Sequence, residues 1–99
     1  MADYRSLATS YANQVGVNPT IFVNQIQQES GFNPNAVSPS GAIGIAQFMP
    51  GTAQGLGLNP RDPVASLKAA ALYDANNLKM YRGDYPKMLA AYKDRKSVV

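Results

Sequence analysis

A chain of 99 residues, 45% of them apolar, is expected to form one globular domain over residues 1–99, which excludes a disordered protein. Because it has no cysteine and no histidine, disulfides, thiolate zinc sites and mechanisms that need an imidazole base are also excluded. The net charge of +3 is the sum of −1 in residues 1–60 and +4 in residues 61–99, and we interpret the basic half as solvated helix faces.

The first third of the chain predicts two helices. Apolar residues at helical spacing indicate a helix over residues 3–15, and Gly16 follows it as a stop signal. Asn18-Pro19 predicts the start of a second helix, because proline is well tolerated in a first turn. This helix is expected to end near Gly31.

A loop and a short helix are predicted next. Residues 31–47 are rich in Gly, Asn, Pro and Ser, which predicts an ordered loop, with at most a small β-hairpin within residues 35–47. Pro50 and Thr52 predict the start of a short third helix, which Gly55 and Gly57 are expected to close.

The last third of the chain predicts two more helices. Asp62-Pro63 predicts the start of the longest helix, over residues 63–82, and Asp84 is expected to cap a final helix. No segment alternates with a period of two, so the fold class is predicted to be all-α. The expected apolar stripes are Val64, Leu67, Ala71 and Leu78 in the longer helix, and Tyr85, Met88, Leu89 and Tyr92 in the final one.

The sequence predicts neither a membrane span nor a nucleic-acid site. No apolar run approaches the ~20 residues of a spanning helix, and the N-terminus lacks the basic region and apolar core of a signal peptide. The basic half contains no recognised nucleic-acid-binding motif. No cofactor and no metal site is predicted.

Glu29 is the strongest candidate for chemistry. It is the only glutamate in the chain and the only charged residue between Arg5 and Arg61. It follows Phe22 by seven positions and Ile26 by three, which places it on an apolar helix face. Such a face favours the protonated carboxyl that a general acid requires. A glutamate that simply reaches water at a helix end is the commoner arrangement.

The residues that follow Glu29 extend this candidate site. Gly31 permits a left-handed turn directly after the glutamate. Ser38 and Gln47 could orient a carboxyl group or hold an N-acetyl amide, and Met49 could form an apolar wall for a sugar face. Taken singly, each is an ordinary turn or capping residue. This block contains no second acid, and every aspartate is assigned to a region near the end of a predicted helix.

The run ESGFNPNAVSPSGAIGIAQFMPGTA, residues 29–53, resembles the signature of the soluble lytic transglycosylase catalytic domain, whose fold is related to goose-type lysozyme. The resemblance covers about residues 5–92 and implies a lysozyme-like helical domain that needs no cofactor. It implies that Glu29 is the catalytic acid, that Ser38 assists it, and that Gln47 and Met49 contact the glycan.

The resemblance also implies a substrate and a mechanism. The substrate is the peptidoglycan strand, cleaved between N-acetylmuramic acid and N-acetylglucosamine without water, with one glutamate acting first as acid and then as base. The product is a 1,6-anhydromuramic acid end. The place of action implied is the cell wall, reached in the periplasm, outside the cell or from a phage virion.

The chain departs from the family pattern near its end. The family motif Ala-Tyr-Asn-Ala-Gly corresponds here to Ala91-Tyr92-Lys93, followed by Asp94 and Arg95. Tyr92 is retained and is the expected partner of the Glu29 carboxyl. The domain is therefore expected to be truncated or divergent after Tyr92, with a larger polypeptide or assembly completing the groove.

Two alternatives remain open from the sequence. Loss of the third motif is compatible with a module that binds peptidoglycan, or serves as a virion structural protein, without turnover. The second alternative is a hydrolytic lysozyme that combines Glu29 with an aspartate and water.

Overall fold

The computed structural model describes residues 3–97, and the side chains of residues 3–94, as an all-α domain. The helices are α1 (Tyr4–Val15), α2 (Pro19–Ser30), α3 (Pro50–Gly55), α4 (Pro63–Met80) and α5 (Tyr85–Ser97). The predicted fold class is thereby confirmed. Within residues 3–97, none of these helices is both long enough and apolar enough to cross a membrane.

Polar side chains fix the starts of the helices where the sequence predicts them. Asn18 accepts hydrogen bonds from the backbone N–H groups of Thr20 and Ile21 at the start of α2. Asp62 and Asp84 do the same for α4 and α5, because each carboxylate accepts from the N–H three residues later. Such caps satisfy backbone donors that have no partner inside the helix.

The core lies where α1 packs against α2 and α4, and where α4 packs against α5. The side chains at the centre of α1 and α4 include small alanines, which allow the two helices to approach closely. The buried apolar cluster comprises Ala8, Ala12, Val17, Phe22, Ile26, Ile45, Ala46, Phe48, Ala53, Leu67, Ala70, Ala71, Met88 and Tyr92.

Helix α4 corrects two expectations. Val64 was assigned to its apolar stripe, but the side chain is 41% exposed because it lies in the first turn, outside the packed part of the helix. Asp74 was assigned to a helix end, but it lies in the middle of α4 and is fully buried. The expected stripe of α5 is better matched, since Met88 and Tyr92 are both buried.

The segment between α2 and α3 is an ordered loop with two isolated antiparallel bridges, Val37 with Ile43 and Ile43 with Phe48. This is less than the small hairpin that the sequence allowed. The loop is held against α2 because the Ser30 hydroxyl donates to the Ile45 carbonyl at 2.6 Å. At Gly44 the backbone lies so close to the Pro60 carbonyl that a Cβ atom would be 1.9 Å from that oxygen. Only glycine fits there.

Candidate active site

Glu29 lies in the last turn of α2, directly before the helix ends at Gly31. Its side chain is half-buried, while Ile26 and Gln25, one turn earlier on the same helix, are buried. Gly31 adopts a φ of 63° and its N–H donates to the Gln27 carbonyl, which terminates the helix. The local sequence therefore places the carboxyl at the rim of the core, with one side toward solvent.

Tyr92 approaches the same region from α5. Its ring is buried, with an edge contact to Tyr73 at a centroid distance of 5.8 Å and a tilted contact to Phe48 at 6.2 Å. Its hydroxyl donates to the Ala46 carbonyl at 2.6 Å. A phenol has one proton and a carbonyl can only accept, so the Tyr92 oxygen can interact with a further group only as an acceptor.

Glu29 and Tyr92 are close enough to interact electrostatically. Burial raises the pKa of Tyr92 well above its usual value, and the nearby carboxylates of Asp74 and Glu29 raise it further, in that order. Tyr92 is therefore a neutral phenol at physiological pH. A hydrogen bond between Tyr92 and the Glu29 carboxyl stays a prediction.

A second carboxyl, Asp74, lies beside this pair, and sequence reasoning missed it. Asp74 is fully buried on α4, and the Gln25 amide of α2 donates to its Oδ1 at 3.3 Å. Burial raises the pKa of Asp74 to about 7, the Gln25 hydrogen bond opposes that shift, and the charge of Glu29 adds to it. The site thus holds two carboxyls, one half-buried on α2 and one fully buried on α4.

A signal for Asp74 was present in the sequence. It follows Leu67 by seven positions and Ala71 by three, the same spacing that separates Glu29 from Phe22 and Ile26. This spacing places Asp74 on an apolar helix face, as it does Glu29.

Ser38 and Gln47 organise the loop that faces these helices. The Ser38 hydroxyl oxygen accepts from the Ala42 N–H at 3.0 Å and lies 3.0 Å from the Ser40 hydroxyl. Gln47 is 3% exposed, with a φ of 56°. Its amide nitrogen donates to the carbonyls of Gly44 at 2.8 Å and Ala36 at 3.2 Å. Both amide protons are therefore used within the protein.

Met49 stands at the N-terminal boundary of α3 and is 9% exposed. Gln47 and Met49 thus offer little of their surface to a ligand, and the roles predicted for Ser38, Gln47 and Met49 toward a glycan stay predictions. What the structure assigns to Ser38 and Gln47 is support of the loop, whose carbonyl at Ala46 receives the Tyr92 hydroxyl.

Comparison with known proteins matches the chain to one family. The model of the transglycosylase SLT domain matches residues 6–96. A protein named transglycosylase from Enterobacteria phage PRD1 is 38% identical over 80 residues, which are 80% of this chain and 30% of that protein. No solved structure matches the chain with comparable significance.

Bacterial proteins named membrane-bound lytic murein transglycosylase are similar as well. The F protein of Serratia proteamaculans is 39% identical over 71% of this chain, and the C protein of Actinobacillus pleuropneumoniae is 40% identical over 50% of it. The chain spans 30% of the phage relative and 14% of each of these two bacterial relatives.

Proposed function

Because this chain belongs to the transglycosylase SLT domain family, we propose that it cleaves peptidoglycan glycan strands as a lytic transglycosylase. One observation carries the proposal. The only glutamate of the chain lies half-buried at the end of α2, within electrostatic reach of Tyr92 and Asp74, inside the segment that matches the family. A partly desolvated carboxyl beside neutral and acidic groups suits general acid–base work.

The proposed reaction uses one carboxyl twice. The protonated Glu29 gives its proton to the oxygen that links N-acetylmuramic acid to N-acetylglucosamine, and the bond from that oxygen to C1 breaks. The Glu29 carboxylate then takes the proton of the muramyl C6 hydroxyl, whose oxygen bonds to C1 and closes the 1,6-anhydro ring. The N-acetyl group of the substrate stabilises the cation-like state between the two steps, and no water is consumed.

Tyr92 fits this scheme as an acceptor. Since its proton is donated to the Ala46 carbonyl, its oxygen is available to accept from the protonated form of Glu29 and would orient the acid. The proposed glycan contacts are Ser38, Gln47 and Met49. Gln47 would act through its carbonyl oxygen, because its amide protons are already used.

Asp74 does not favour a two-carboxylate hydrolase. A hydrolytic mechanism needs a second carboxyl that reaches the sugar or an attacking water. Asp74 has no exposed surface. The proposed site of action is the cell wall, reached from the periplasm, from outside the cell or from a phage particle.

Mass spectrometry of purified peptidoglycan after incubation with the protein tests the proposal. Soluble fragments with 1,6-anhydromuramic acid ends are expected. Fragments with only reducing ends, heavier by one water, would instead identify a hydrolase. Sedimentation of the protein with peptidoglycan without any soluble fragment would identify a binding module.

A further inference from the structure

We propose that Arg5 is a positioning residue for Glu29, which it serves by holding the turn that directly follows the glutamate. The inference rests on the proposed function, because it gives Arg5 a part in placing the catalytic carboxyl. It adds a residue of α1 to a site otherwise formed by α2, α4, α5 and the loop between α2 and α3.

The turn after Glu29 contains two consecutive residues in the left-handed region. Gly31 has a φ of 63° and Phe32 a φ of 61°. Glycine adopts this conformation freely, whereas phenylalanine does so only against a steric penalty from its Cβ atom. Such a residue persists where its surroundings hold it in place, and active sites are a common location. The turn therefore depends on the contacts that fix Phe32.

Arg5 supplies one of these contacts from another helix. Its guanidinium carbon lies 4.5 Å from the centroid of the Phe32 ring, within the range of a cation–π interaction. Phe32 is half-buried and also packs against the buried apolar cluster, whereas Arg5 is exposed. The ring is thus held by the core and by the guanidinium together.

The same guanidinium contacts the chain on the other side of Glu29. Arg5 Nη2 donates to Gln27 Oε1, and the Gln27 carbonyl accepts at 2.9 Å from the Gly31 N–H that ends α2. Gln27 precedes Glu29 by two positions and Phe32 follows it by three. One side chain therefore bridges the last turn of α2 and the turn after it, with Glu29 between the two points of attachment.

Glu29 needs such support because it lies in the last turn of α2, and helix ends fray. An acid that must reach a glycosidic oxygen depends on its placement, since a displacement of about 1 Å can cost about a hundredfold in rate. The Ser30 hydroxyl fixes this segment to the loop through the Ile45 carbonyl, and Arg5 fixes it to α1. Arg5 is the only basic residue before Arg61.

The first test follows the turn itself and does not require turnover. Arg5→Met removes the guanidinium and keeps an unbranched side chain. Hydrogen exchange of the Gly31 amide, which donates to the Gln27 carbonyl, is expected to accelerate by about tenfold. The carboxyl ¹³C resonance of Glu29, the only glutamate, is expected to shift at constant pH. The matched control Arg61→Met, at an exposed arginine outside the turn, should leave both unchanged.

The second test separates positioning from substrate binding and from stability. In Arg5→Met, kcat should fall by about tenfold at a temperature where the protein is folded, while KM stays within about twofold, because the acid is misplaced and the glycan contacts are kept. Arg5→Lys should recover part of the rate, since an ammonium can still lie over the Phe32 ring. An unchanged kcat, or a loss confined to KM, would overturn the proposal.

A double variant tests whether Arg5 acts through Glu29. Added to Glu29→Gln, Arg5→Met should not lower the residual rate further, because no acid is left to position. A second full tenfold loss would mean that Arg5 acts by another route and would contradict the proposal. Phe32→Leu, which removes the ring and keeps an apolar side chain, should reproduce the loss in kcat and serves if Arg5→Met does not fold.

The two kinds of measurement distinguish this inference from the proposed function. Unchanged exchange at Gly31 together with an unmoved Glu29 resonance would overturn the positioning role, whether or not the protein turns over. Faster exchange and a shifted resonance in a protein that releases no anhydro products would support the positioning of Glu29 and would reject the proposed function.

Discussion

The Tyr92 hydroxyl donates to the Ala46 carbonyl at 2.6 Å, and this bond joins residues 46 positions apart in the chain. It ties α5 to the loop between α2 and α3, next to the point where the Ser30 hydroxyl donates to the Ile45 carbonyl. Two consecutive loop carbonyls are thus held by side chains from different helices. The loop is fixed beside Glu29 before any substrate arrives.

Replacing Tyr92 by phenylalanine should destabilise the protein by about 1–3 kcal/mol, because the Ala46 carbonyl loses its donor while the ring stays buried. If the Tyr92 oxygen also accepts from protonated Glu29, turnover should fall several-fold. Urea denaturation and peptidoglycan turnover measure the two effects. Tyr85→Phe is the matched control on the same helix, since the Tyr85 hydroxyl accepts from the Asn18 N–H at 2.8 Å, in a different part of the fold. An unchanged rate in Tyr92→Phe, beside normal turnover in the control, would remove Tyr92 from the acid–base site.

Glu29→Gln should abolish most turnover and preserve the fold. The change removes the titrating proton and keeps the shape, and loss of general acid–base help alone is worth about 10²–10⁴-fold. Because one residue is proposed to perform both proton transfers, the loss should lie at or beyond the upper end. Unfolding free energy should be unchanged or slightly higher. A variant that keeps more than a tenth of the wild-type rate would contradict the role of Glu29.

The loop offers a matched pair of glycine substitutions. Gly44→Ala would place a Cβ atom 1.9 Å from the Pro60 carbonyl oxygen, at a φ of +84°. Gly41→Ala would meet only the backbone strain of its φ of +95°, because nothing lies within 4 Å. Denaturation should show a loss of about 1 kcal/mol for Gly41→Ala and a markedly larger loss for Gly44→Ala. Equal losses would mean that the loop moves away from Pro60 without resistance.

The sequence was sufficient for most of the fold and for one member of the candidate site. The helix starts follow from local chemistry, since Asn18, Asp62 and Asp84 each bond to backbone within three residues. Glu29 was found because apolar spacing on one helix is a local signal. These features need no knowledge of distant residues.

What could not be predicted depends on contacts between distant segments. The Tyr92–Ala46 bond and the Gln25–Asp74 bond join segments 46 and 49 residues apart. Gln47 adopts a left-handed backbone conformation while its side-chain amide donates to the Gly44 carbonyl of the folded loop. Glutamine rarely adopts this conformation, so its residue type does not predict it. The position of Asp74 on an apolar helix face, in contrast, could be predicted from its spacing to Leu67 and Ala71.

The stability of the protein should depend on pH through the buried Asp74 carboxyl. The pKa of Asp74 is raised from 3.8 in the unfolded chain to about 7 in the folded protein, mainly by burial. The folded state therefore holds more protons than the unfolded state between these values, and the free energy of unfolding must fall as pH rises. The stability associated with the protonated Asp74 is fully present below about pH 4 and is lost by about pH 7. A shift of this size corresponds to about 4 kcal/mol in the free energy of unfolding.

Asp74→Asn should remove this dependence, because asparagine does not titrate and its amide can donate to the Gln25 Oε1 that now lacks a partner. The variant should be more stable than the wild type at pH 8, and the two should converge toward pH 4. Urea denaturation across this range provides the measurement, with Asp62→Asn as the control that should keep the wild-type slope. Parallel curves for the wild type and Asp74→Asn would show that Asp74 is ionised throughout, with its charge compensated inside the fold.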